Sequence, residues 1–190
     1  MKVNIGTYSF GGIASYLGLG PTLLDKFKTI ASLGFTGVEL LPVDLDNDIE
    51  DIKKWLKETG LEVVSIHAEP TEEIVKKIAE LGGKAVIWAG TPFCNKAEAV
   101  EVAHKLDEMA EMAEPYGIKI GYHNHTDEFY VDEGKYLYDW LIDACDPEVT
   151  AFQLDCGWCS AAGVNPVDFI NSHAGRIASI HIKENGGVIG

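Results

Sequence analysis

No apolar run in this 190-residue chain approaches the roughly 20 residues that a membrane span needs. The opening MKVNIGTYSFGG has one lysine and no long apolar core, so it does not read as a secretory leader. A cytoplasmic setting is the default expectation. Basic residues are scarce as well: 15 Lys and Arg stand against 30 Asp and Glu, a formal net charge of -15. A field of that sign repels nucleic acid and acidic membrane surfaces, and no stretch gathers Lys and Arg into a groove that reverses it locally. Neither nucleic acid nor membrane is an expected partner, and a homo-oligomer is left open. The acids sit on helical faces such as DLDNDIEDIKK and EVAHKLDEMAEMAE, the pattern of a solvated surface.

Cysteine is equally sparse. Four in all, without a secretory signal, argue for reduced thiols rather than a disulfide framework. The pair in CGWC, Cys156 and Cys159, has redox spacing, but a redox pair opens a helix whose N-terminus lowers the first thiol's pKa. In this chain an apolar strand precedes the pair and a Gly163-Val164-Asn165-Pro166 loop separates it from the next helix, so neither a helix nor a redox role is expected there. Cys94 and Cys145 form no second close pair, which counts against a four-cysteine zinc site. The first turn, TYSFGGIASYLGLG, has neither GxGxxG spacing nor a P-loop lysine, and nucleotide binding loses its support with them.

What is present is a regular alternation within a composition of 46% apolar and 24% charged residues, that of one globular domain. Short β-branched runs stand at Val3–Ile5, Gly37–Leu41, Glu62–Ile66, Lys84–Trp88, Ile118–Tyr122, Thr150–Leu154 and Ile177–Ile182. Between them apolar residues recur at three-or-four spacing, as in Leu23, Leu24, Phe27 and Ile30, or Val100, Ala103, Leu106, Ala110 and Ala113. Gly34, Gly60, Gly82, Gly117 and Gly175 each stand just past a helical pattern, Thr71 is placed to cap one, and Pro166 fits a first turn. Seven strands separated by helices predict right-handed crossovers and a parallel sheet, and the (β/α)8 TIM barrel fits better than a doubly wound sheet without its glycine-rich turn.

In such a barrel the chemistry sits at the C-terminal strand ends. Polar residues gather there: Glu39, then His67 and Glu69, then His123, His125, Asp127 and Glu128, then Asp155, then His181, Lys183 and Glu184. Imidazole and carboxylate converging from neighbouring strands suit Mn, Mg, Co or Zn as divalent ions. In HNH the two imidazoles lie two residues apart and point to one side while the backbone stays extended. His104 and His173 fall on predicted helices and read as structural or solvent-facing.

Together GVELL, SIHAEP, GYHNHTDEF, LDCGW followed by AGVNP, and RIASIHIKE resemble the sugar phosphate isomerase/epimerase family, the xylose isomerase-like or AP endonuclease family 2 barrels, over Val3 to Glu184. The resemblance implies one divalent metal ion, with Asp155 and His181 matching two ligand positions and Glu128, a few residues late for the simple epimerase pattern, as the third. It implies His123 or His125 as base or substrate ligand beside Glu128, with Glu39, His67 and Lys183 on substrate hydroxyls and Trp158 against the sugar face. The family's eighth strand and its glutamate have no counterpart, so either a fragment or closure by another segment is expected. The leading expectation is an isomerase or epimerase that removes a proton next to the carbonyl of a sugar or keto-sugar and passes through an enediolate. Alternatives are a lyase dehydrating an inosose or oxidised sugar, an AP-site endonuclease, disfavoured by charge, and a non-catalytic sugar-binding barrel.

Overall fold

The alternation becomes strand and helix where the pattern places them. The structure, a computed structural model, describes residues 3–12, 14, 17, 19–89 and 93–183. The strands are β1 (Ile5–Gly6), β2 (Gly37–Leu40), β3 (Glu62–His67), β4 (Ala85–Ala89), β5 (Lys119–His123), β6 (Val131–Asp132), β7 (Lys135–Tyr136), β8 (Thr150–Asp155) and β9 (Ile177–His181). The helices are α1 (Leu23–Ser32), α2 (Ile49–Thr59), α3 (Glu72–Glu80), α4 (Lys96–Ala113), α5 (Leu137–Ala144), α6 (Cys156–Ala161) and α7 (Pro166–Ser172). The chain divides into two units. One takes in the described residues up to Val86 with Tyr116–Ile118, and the other Ile87–Pro115 with Lys119 onward.

In the first unit β1 pairs with β2 and β2 with β3, both parallel, and β4 follows β3 in the hydrogen-bonded order. Thr22, Asp48 and Thr71 each accept a backbone N–H of the helix they precede, capping α1, α2 and α3. All five glycines expected to end helices have φ between 68° and 88°, the left-handed region that a Cβ disfavours. The helices turn Phe27, Ile30, Ile52, Val75 and Ile78 inward, and Val38, Leu40 and Ile66 come from the strands. Inside this core lies an ionic group: Lys26 and Asp44 are 4% and 3% exposed, with Nζ 3.5 Å from Oδ1. Asp44 Oδ2 also accepts the Thr7 hydroxyl at 2.6 Å and the Leu41 N–H at 2.8 Å.

In the second unit β4 neighbours β5, and β5, β8 and β9 continue as parallel pairs. Tyr138 on α5 is fully buried, stacks on Phe169 of α7 with ring centroids 5.4 Å apart, and meets Phe129 and Phe152 edge-on. The hairpin β6–β7 was not legible, because two-residue strands show no period; it turns on Glu133 (φ 50°) and Gly134 (φ 80°). His173, at the C-terminal end of α7, places Nε2 3.1 Å from Asp139 Oδ1 on α5, and this carboxylate raises the imidazole pKa above its usual value. A raised folded value means that the ion pair stabilises fully below the unfolded pKa, ~6.5, and is lost as pH rises through the raised one. Thermal melts of wild type and His173→Gln are therefore expected to differ most near pH ~6 and to converge at higher pH. A difference that ignores pH would sink this account.

Candidate active site

The site in the second unit starts from Asn124, the fully buried middle residue of HNH. Its Oδ1 accepts the Asp155 N–H at 2.9 Å and its Nδ2 donates to the Asp155 carbonyl at 3.4 Å, which ties the end of β5 to the end of β8. Strand register does the rest. His123 lies opposite Gln153, and Asp155 lies opposite His181, so three strand ends deliver His123, Asp155 and His181 together.

Asp155, 2% exposed, is the centre of the group. Its Oδ2 faces His123 Nε2 at 3.7 Å, Lys183 Nζ at 3.9 Å and His181 Nδ1 at 4.0 Å. Its Oδ1 accepts the Trp158 N–H at 2.8 Å and caps α6. His123 Nδ1 stands 2.9 Å from Gln153 Oε1, an accepting oxygen that suits the tautomer protonated at Nδ1. In that neutral tautomer the Nε2 lone pair turns toward Asp155, an arrangement suited to a cation shared by the two. The ligand nitrogens of His123 and His181 lie within 4.8 Å of one another. Two imidazoles and one carboxylate are donors of the kind that suit a divalent ion.

His125 and Trp158 of the same unit border this group. The His125 ring is 5.3 Å from that of His123 and 5.7 Å from Trp158, centroid to centroid. Lys183 holds Nζ 3.6 Å above the Trp158 ring. Burial lowers its pKa, and the Asp155 charge opposes that. Glu128 accepts the Tyr122 hydroxyl at Oε1 and the His125 N–H at Oε2, each at 2.8 Å. Burial and then the Glu128 charge raise the Tyr122 pKa, so the phenol stays a donor. Both bonds tie Glu128 to the start and the end of the GYHNH segment and so anchor the His125 loop. In the first unit Glu39 Oε2 accepts the Ser65 hydroxyl at 2.6 Å, and Glu39 Oε1 lies 4.0 Å from His67 Nε2. Glu69 and Asp127 are exposed. Glu184 lies outside the described residues.

One expectation changes. CGWC does open a helix, α6, because Asp155 is in place to cap it. The redox reading gains nothing, since burial and then the Asp155 charge raise the Cys156 pKa, and burial pushes Cys159 up to about 12. Asn124 and Gln153, which orient Asp155 and His123, were missed. Their signal was a polar residue inside an apolar strand run, in AFQLD, and an amide between two histidines.

The chain belongs to the xylose isomerase-like TIM barrel family, whose sequence model matches residues 27–189. It is 27% identical to an inosose dehydratase of Clostridium beijerinckii over 88% of this chain, and it spans 65% of that relative's length. A solved sugar phosphate isomerase/epimerase from Parabacteroides distasonis superposes with a TM-score of 0.81 at 25% identity, covering 96% of this chain and 75% of that one. The IolI protein, solved with a zinc atom, shares the fold alone at 15% identity and a TM-score of 0.68, with 96% and 72% covered. No helix among the described residues is long and apolar enough to cross a membrane.

Proposed function

We propose that the chain serves proton transfer at the carbon next to the carbonyl of a keto-sugar or inosose, with one divalent ion held by Asp155, His181 and His123. The observation that carries this is the buried Asp155 carboxylate with imidazole nitrogens facing it at 3.7 and 4.0 Å. Bound there, such an ion polarises the carbonyl and hydroxyl oxygens of the substrate and acidifies the carbon beside them.

The chain's own residues supply the rest. His125 borders the ligand set without belonging to it and takes the proton, its backbone fixed by Glu128. Lys183 donates to a substrate oxygen while Trp158 packs on the C–H face. Return of the proton gives an epimer or isomer, as the name of the Parabacteroides protein suggests. Expulsion of a neighbouring hydroxyl gives dehydration instead, the reading that the curated relative favours.

Incubation with Mn²⁺ and a panel of keto-sugars and inososes in heavy water tests the common step. Deuterium is expected at the carbon next to the carbonyl, and a chelator is expected to stop its uptake. Product analysis by NMR separates an isomer from a dehydrated ketone. No exchange with any member of the panel would remove the proposal.

A further inference from the structure

We propose that Gly157 is a positioning residue: the space left by its missing side chain seats Lys183 on Trp158 and beside Asp155. The effect on substrate rests on the reading of Lys183 given above, whereas the seat itself is a matter of geometry. A Cβ at Gly157 would lie 2.5 Å from Lys183 Cγ, 3.0 Å from Lys183 Cε and 3.2 Å from Asp155 Oδ1. The stem of Lys183 therefore occupies the volume that any other residue at 157 would fill. Asp155, Gly157 and Trp158 make a three-sided seat, with a carboxylate 3.9 Å and an indole ring 3.6 Å from the same ammonium.

Local preference points the other way. Gly157 lies in the first turn of α6 without a left-handed φ, so the backbone conformation does not ask for glycine, and alanine favours a helix more. A residue that departs from local preference where a neighbour needs its space marks a position shaped by the site. Lys183 follows the end of β9, and a lysine there has four rotatable bonds and much rotamer freedom to lose. The closed floor at Gly157 limits that freedom, and the cation is presented to substrate in one place.

The test uses the 190-residue chain and reads the lysine directly. In the ¹H–¹³C spectrum the ε-methylene of Lys183, identified by its loss in Lys183→Met, is expected at high field because the Trp158 ring shields it. Gly157→Ala is expected to return it to the envelope of the other lysines, and so is Trp158→Leu, which has no ring to shield it. A resonance that stays at high field in Gly157→Ala overturns the proposal.

Calorimetry with an inosose and Mn²⁺ then reads the consequence. Gly157→Ala is expected to weaken binding about tenfold, Lys183→Ala by a similar factor, and the double variant no more than Lys183→Ala alone. Additive losses mean that Gly157 does not act through Lys183, and they also overturn the proposal. Should Gly157→Ala not fold, the Lys183→Ala background, which has no Cγ, removes the clash: a double variant as stable as Lys183→Ala supports the seat, and an unfolded one refutes it. No inosose binding by the wild-type chain would instead remove the functional reading, and the resonance would still decide where Gly157 puts Lys183.

Discussion

An asparagine at position 155 is expected to cost the chain its divalent ion and its exchange chemistry while the fold stands. Asn matches Asp in shape and retains an oxygen for the Trp158 N–H, so the α6 cap survives and stability should change by less than ~1 kcal/mol. What goes is the charge at Oδ2, toward which His123, His181 and Lys183 converge within 4.0 Å. Loss of an outer partner of a metal ligand already lowers affinity by ~10- to 100-fold, so loss of a ligand charge should lower it by at least ~100-fold. Deuterium uptake should fall by about 1,000-fold, as it does when a preorganised electrostatic group is removed from a reacting centre. Manganese titration calorimetry, heavy-water exchange and a thermal melt on one preparation check all three. Unchanged manganese affinity would show that Asp155 is a helix cap and nothing more.

Strand positions were legible because they rest on local signals. A β-branched run between two helical periods has one reading, and each helix-ending glycine was visible as a residue that tolerates positive φ. Asp155 and His181 were also legible, since parallel strands of similar phase bring their last residues to one end. The partners of Glu128 were not. The sequence places a carboxylate five residues past His123, and only the fold shows Tyr122 and the His125 N–H holding its two oxygens. Nor was α6, because its cap is a site residue and capping by Asp155 depends on where β8 stops. Gln153 escaped for a related reason: its meaning lies in the residue opposite, His123, and register is a tertiary fact.

Asp44→Ala is expected to be the most destabilising single change in the first unit, at about 3–5 kcal/mol. The carboxylate neutralises Lys26 inside the core, and Oδ2 satisfies both the Thr7 hydroxyl and the Leu41 N–H. Alanine leaves a buried ammonium without its anion and two donors without an acceptor, against a total stability of only about 5–15 kcal/mol for a domain. Lys26→Met should cost less, because Asp44 keeps both donors and the methionine fills the path of the lysine stem. The pair Lys26→Met with Asp44→Asn should cost least of the three, since the amide oxygen serves Thr7 and Leu41 and no charge is left to desolvate. Urea unfolding of the three variants tests this order, and a loss below ~1 kcal/mol for Asp44→Ala would mean that water reaches Lys26. The network also bears on function through Leu41, whose N–H it fixes two residues after Glu39. Loosening it should therefore disturb the exit of β2 and the 4.0 Å approach of Glu39 to His67 before the unit as a whole unfolds.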